Sequence, residues 1–112
     1  MKVNILGTEY TIEYRKREDD PNLENADGYH DSTQNLIVIE DLKPEKGSKG
    51  DLEAYKKQVL RHEIIHAFLF QSGLDNCSAC LDGAWATFEE MIDWFAIQSP
   101  KIYKAFEECD CM

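Results

Sequence analysis

The sequence predicts an α+β domain in which a small β-sheet comes first and helices follow. Three observations carry this. Apolar and polar residues alternate over the first fifteen positions, as on strands with one buried face. From Asp51 the apolar residues recur at three- and four-residue steps, the period of a helix. The two regions are separated by Asp-, Asn-, Pro- and Gly-rich stretches instead of being interleaved. At 112 residues the chain fits a single domain, 1–112, with one real core but not two.

In "MKVNILGTEYTIEYRKRE", Val3 and Ile5, then Tyr10, Ile12 and Tyr14, fall on alternate positions with Gly7-Thr8 between them. That reads as a β-hairpin. "DDPNLENADGYHD" reads as loop, and "NLIVIEDL" as a short third strand. "KPEKGSKG" is a second, exposed loop. A long helix follows, with Leu52, Tyr55, Val59, Leu60, Ile64, Ala67 and Phe68 as its buried stripe, Asp51 as N-cap and Gly73 just past its end. "LDNCSACLDGA" connects it to a second helix bearing Phe88, Met91, Ile92, Phe95 and Ala96. "TFEE" fits a capping box, with Thr87 as N-cap and Glu90 reaching back. Ser99-Pro100 is expected to end that helix and start a short C-terminal one.

Twelve basic against twenty-two acidic residues give a net charge of -10. Nucleic-acid binding is disfavoured, because it needs clustered Lys and Arg to displace counterions from phosphates. An anionic membrane surface is disfavoured for the same reason. "MKVNILGTEY" lacks the apolar stretch of a signal peptide, and no run is long enough to span a bilayer. A cytoplasmic protein is expected, with Cys77, Cys80, Cys109 and Cys111 as thiols instead of structural disulfides.

The chemistry is concentrated in "VLRHEIIHAFLFQSGL", which holds His62-Glu63-Ile64-Ile65-His66, an HExxH motif. Residues four apart lie one turn apart on one face of a helix, so both imidazoles can reach one metal ion. Glu63 stays beside the metal's open position. Zinc held there would acidify a water, whose proton Glu63 could take and pass to a leaving amine. Two imidazoles and a glutamate on so apolar a helix need a compensating ion or network in any case.

Such a site needs a third protein ligand. No histidine follows His66, which leaves a carboxylate from "EEMID" on the second helix. Glu89 and Asp93 share a face, and Glu90 points about 100° away. If Glu90 is engaged in the capping box, Glu89 becomes the ligand and Asp93 orients a histidine ring. Glu90 as ligand, or all three as a solvated acidic face, are the alternatives.

HExxH, twenty-two intervening residues, then E-x-x-x-D resembles the gluzincin arrangement. "VLRHEIIHAFLFQSGL" with "EEMIDWFAIQSPKIYKAF" more closely resembles the small phage- and prophage-encoded zincins, distant relatives of ImmA/IrrE-type metallopeptidases. The resemblance covers about half the chain well. It implies a minimal zincin-like fold, with a roughly three-stranded N-terminal sheet packed on the HExxH helix and a second, ligand-bearing helix. By it, His62, His66 and Glu89 bind Zn2+, Glu63 is the catalytic base and Asp93 supports a ligand histidine. The strand 35–40 would be the edge that pairs with an extended protein or peptide substrate, in the cytoplasm of a bacterial host cell. No motif names a transition-state stabiliser; Tyr29, His30 and Tyr103 are the candidates.

Cys77-x-x-Cys80 with Cys109-x-Cys111 could form a second, four-thiolate zinc site, against the simpler reading of free thiols. His30 in "GYHD" reads as an exposed loop histidine, and Trp85, Trp94 and Phe95 as core walls. The expected function is a zinc-dependent metallopeptidase. The alternative is a catalytically inactive, zinc-stabilised binding or phage accessory module, its metal closed by a cysteine or Asp82. Oligomeric state and cleavage specificity do not follow from the sequence.

Overall fold

The computed structural model describes residues 1–77, 79–80 and 83–112, with side chains described outside 76–84. Its first two strands, β1 (Lys2–Ile5) and β2 (Thr8–Arg15), form the expected antiparallel hairpin. The turn is Leu6-Gly7, one residue earlier than the sequence suggested. Both residues take positive φ, 50° and 92°, the mirror-image turn whose twist matches that of the strands. Asn4 Oδ1 accepts from the Gly7 N–H at 2.9 Å and holds it closed.

The sheet has four strands where three were expected. The fourth is β3 (Gly28–Asp31), inside the stretch that reads as loop; it pairs antiparallel with β4 (Leu36–Glu40). Spatial order is β1-β2-β4-β3, with β2 and β4 parallel. Two 3-10 turns, Arg17–Asp19 and Pro21–Leu23, carry the chain from β2 to β3. The buried Asp20 caps the second turn by accepting from Asn22 N–H, and also takes hydrogen bonds from Arg15 and the Tyr29 hydroxyl.

All five residues of β4 are buried. Ile37 and Ile39 face the main core; Leu36 and Val38 pack beneath Leu23 and Tyr29 on the other face. A strand covered on both faces reads as a continuous apolar run, as "LIVIE" does. It follows that β4 lies inside the sheet, which corrects the expectation that 35–40 forms a substrate-pairing edge. β3 is the edge strand. Glu40 N–H donates to Asp27 O, so by the β3–β4 register Tyr29 and Asp31 also face their partners through hydrogen bonds. Gly28 and His30 therefore turn their main-chain N–H and C=O away from β4.

Helix α1 (Leu52–Gln71) begins at Asp51, whose carboxylate accepts from Ala54 N–H. It ends before Gly73 at φ 85°. Its most buried positions are Val59, Glu63 and Ala67, each one turn apart, with Tyr55, Leu60 and Ile64 beside them. Phe68, expected in the stripe, is exposed. Gly28 permits the close approach of α1 to β3, since a Cβ there would stand 2.8 Å from Val59 Cγ1 and 3.0 Å from Val38 O.

After α1 come a short helix α2 (Leu74–Cys77), a two-stranded ribbon of β5 (Ala79–Cys80) and β6 (Gly83–Ala84), and a 3-10 turn Trp85–Thr87. Helix α3 (Glu89–Glu108) then runs unbroken through Pro100. Two expectations are corrected here. The N-cap is Phe88 and not Thr87, because the 3-10 turn occupies Thr87, and Glu90 stands second in the helix instead of third. No separate C-terminal helix starts at Ser99. Proline removes the N–H that would bind Ala96 O and normally kinks or breaks a helix. Here Arg61 Nε of α1 donates to Ala96 O at 2.6 Å and replaces that bond.

Ile92 and Ala96 are the buried positions of α3. Trp85, Trp94 and Phe95 are exposed, not core walls; around the helix, Trp94 lies about 180° and Phe95 about 80° from the Ile92–Ala96 line. No helix among the described residues is long and apolar enough to cross a membrane. The molecule is thus a small α+β domain, a four-stranded mixed sheet with two long helices.

Candidate metal centre

The helical period of α1 places His62 and His66 one turn apart on the side that faces α3. The two helices run antiparallel, so His66 meets Glu89 while His62 meets both Glu89 and Asp93. His62 Nε2 lies 3.1 Å from His66 Nε2 and 3.0 Å from Glu89 Oε2; His66 Nε2 lies 3.1 Å from Glu89 Oε1. On its other side, His62 Nδ1 stands 3.3 Å from Asp93 Oδ1.

This donor set could hold a cation. A neutral His62 that donates from Nδ1 to Asp93 presents a lone pair at Nε2. That lone pair then faces a second imidazole nitrogen and a carboxylate oxygen, a contact that either a proton on His66 Nε2 or a metal cation reconciles. Tetrahedral zinc, at about 2.0–2.1 Å from each ligand, separates its ligands by about 3.3 Å. The observed spacings are within a few tenths of an ångström of that. Two nitrogens and one carboxylate oxygen suit a first-row dication better than calcium or magnesium, which take oxygen ligands. His62, His66 and Glu89 are the group of three that could hold a metal ion among the described residues.

Of the predicted site residues, His62, Glu63, His66, Glu89 and Asp93 come to this place, whereas Glu90 and Tyr103 do not. Glu63 lines the same cleft while remaining 6% exposed. Burial pushes its carboxyl up to about 7; His62 opposes the shift and the Glu89 charge adds to it. Asp93 is where a ring-orienting carboxylate was expected. Glu90, the alternative ligand, is exposed and outside the cleft.

The cleft, about 550 Å³, opens between edge strand β3 on one side and α1 with α3 on the other. Among its described lining residues are four carboxylates, Asp27, Glu63, Glu89 and Asp93, and no lysine or arginine. At the far end Tyr55 donates to Asp27, which Arg17 also approaches. Burial and Asp27 together push the Tyr55 hydroxyl up to about 12, so it stays protonated.

His30 was misread as an exposed loop histidine. It is a half-buried residue of β3 and lines the cleft with His62 and His66. Burial and the nearby His66 hold its imidazole below the usual range. The usable signal in the sequence was weak: one more histidine, two positions from Gly28. Of the cysteines, Cys109 and Cys111 are free and exposed near the C-terminus. The side chains of Cys77 and Cys80, and Asp82 entirely, lie outside the described residues, so the proposed thiolate site and the closed four-ligand alternative do too.

No family model, curated protein or solved structure matches the chain. Fold and geometry alone define the class: a small α+β domain in which three residues that could hold a metal ion line an acidic cleft.

Proposed function

We propose that the protein is a zinc-dependent peptidase of gluzincin type, acting on extended protein or peptide segments. The observation that carries this is the convergence of His62, His66 and Glu89 at hydrogen-bond distances, with a buried, proton-holding Glu63 beside them in an open cleft. The small phage and prophage zincins remain the family it resembles, and a bacterial cytoplasm the setting that resemblance suggests.

When bound, zinc supplies Lewis acidity that brings a water toward ionisation at neutral pH and polarises a carbonyl. His62, His66 and Glu89 would hold it. Asp93 keeps the His62 ring oriented with its Nε2 lone pair inward. Glu63 takes the proton of the attacking water as the new C–O bond forms, then delivers it to the amine as the C–N bond breaks. In the metal-free protein burial lifts this carboxyl to about 7, a direction that favours its holding the proton between the two transfers. The outward main-chain groups of Gly28 and His30 offer an extended peptide the bonds of an added strand. The substrate edge is therefore β3 and not the strand 35–40.

The test is cleavage of a peptide library by the zinc-loaded protein, followed by mass spectrometry. Hydrolysis should be abolished by chelation and restored by zinc, and Glu63→Gln should lose it at equal zinc content. Activity persisting in Glu63→Gln contradicts the proposal. One observation favours the alternative, a non-catalytic zinc-stabilised binding module: Trp85, Phe88, Trp94 and Phe95 are large apolar residues left exposed around the start of α3. That reading predicts zinc binding with no hydrolysis by the wild type.

A further inference from the structure

Attack on a peptide carbonyl drives negative charge onto its oxygen, and a fixed N–H or O–H donor aimed there strengthens as the charge develops. Three candidates were open from sequence. The Tyr29 hydroxyl is committed to Asp20, at 2.5 Å, and to Arg15, within a separate network. Tyr103 is exposed on α3 and does not line the cleft. His30 remains.

Its ring is held firmly. Tyr10 tilts against it at 5.5 Å between centroids, Phe70 meets it edge-on at 5.7 Å, and its Nε2 lies 3.0 Å from the Tyr10 hydroxyl. Tyr10 is fully buried and anchored in turn. Thr8 Oγ1 donates to Gln71 Oε1 at 3.1 Å, and Gln71 Nε2 donates to the Tyr10 oxygen at 2.9 Å. With that acceptor role filled, the single Tyr10 proton is directed to His30 Nε2. A neutral imidazole that accepts at Nε2 carries its own proton on Nδ1. Asp75 Oδ1 is the one buried side-chain polar atom without a partner among the described residues. His30 Nδ1 has no hydrogen-bond partner among the described residues, and His30 lines the cleft it shares with His62, Glu63 and His66.

We propose that His30 is a further catalytic residue of this site, its Nδ1–H donating to the oxyanion of the scissile carbonyl, with Thr8, Gln71 and Tyr10 fixing the tautomer. The inference rests on the peptidase reading. As water adds, its proton goes to Glu63 and the carbonyl π pair moves onto oxygen, which accepts from His30. When that oxygen re-forms the carbonyl, the C–N bond breaks and the Glu63 proton goes to nitrogen. His30 keeps its proton throughout, so it acts as an electrostatic partner and not as an acid.

The experiment combines 15N NMR of the imidazole tautomers with binding of a phosphinic tripeptide, a tetrahedral anion, to the zinc-loaded full chain. His30 should be Nδ1-protonated in the wild type, and Tyr10→Phe should release that preference. His30→Ala and His30→Gln should weaken phosphinate binding by about 10- to 100-fold, the effect of one hydrogen bond to a charged group. His30→Asn, whose amide nitrogen replaces Nδ1, should retain most of the affinity. Zinc affinity should be unchanged in all of them. An Nε2-protonated His30, or equal phosphinate affinity in the wild type and His30→Gln, overturns the inference alone. A zinc-loaded wild type that does not bind the phosphinate overturns the peptidase reading and takes the inference with it.

Discussion

Glu63 is where stability and chemistry oppose each other. It occupies the middle of the buried stripe of α1, between Val59 and Ala67, where an apolar residue would pack without penalty. Its folded carboxyl titrates at about 7 against an ordinary value of 4.5. Between those values the folded state holds a proton that the unfolded state has lost, so stability falls as pH rises through this window. Below pH 4.5 there is no penalty; above about 7 it is complete, at about 3 kcal/mol. Glu63→Gln should therefore raise the melting temperature of the metal-free protein at pH 8 and leave it unchanged at pH 4, as thermal unfolding at both values will show. A gain of equal size at both pH values would mean that packing, not ionisation, is responsible. Asp93 acts on the same centre from outside: Asp93→Asn should weaken zinc binding by about 10- to 100-fold in a competition titration, by releasing the His62 ring.

Among the elements, the α1–α3 pair determines whether the ligands meet at all. Arg61 and Pro100 explain its alignment together. Proline strips Ala96 O of its intrahelical donor, and Arg61 supplies one from the neighbouring helix. Arg61→Ala leaves a carbonyl of a fully buried residue unbonded, at a cost of about 1–3 kcal/mol. In Pro100→Ala the helix recovers its own N–H, so Arg61→Ala should then cost much less. A double-mutant cycle by chemical denaturation should give a coupling of about 1 kcal/mol or more; additivity would show that Arg61 works elsewhere. Gly28 has the corresponding role for α1 against β3. Gly28→Ala should destabilise the protein by about 1–3 kcal/mol through overpacking against Val59, read in the same denaturation assay.

How much of this was legible in the sequence differs by element for physical reasons. α1, its Asp51 cap and its Gly73 stop were readable because local signals and burial agree there. Glu89 and Asp93 were readable because two carboxylates four apart must share a helix face. β3 was not, since "GYHD" has turn-like composition and is a strand only by virtue of its pairing with β4. Nor was the continuity of α3, because the donor that rescues Pro100 comes from thirty-nine positions earlier in the chain. His30, a candidate from sequence, was placed in a loop and not a strand for the same reason as β3: its partners Tyr10 and Phe70 are distant in sequence.

At the scale of the whole molecule, a domain this small carries a cleft rich in carboxylates and a buried Glu63, and a bound dication would relieve both. Zinc should therefore stabilise the fold by linkage, by about 2.7 kcal/mol at a free concentration one hundred times its dissociation constant. The central claim, that His62, His66 and Glu89 hold the metal and leave a position open, is tested most directly by X-ray absorption spectroscopy of the protein loaded with one equivalent of zinc. The account predicts two imidazole nitrogens, one carboxylate and one exchangeable light atom that a small anion displaces. Sulfur in the first coordination sphere, or a closed set of four protein ligands, would contradict it.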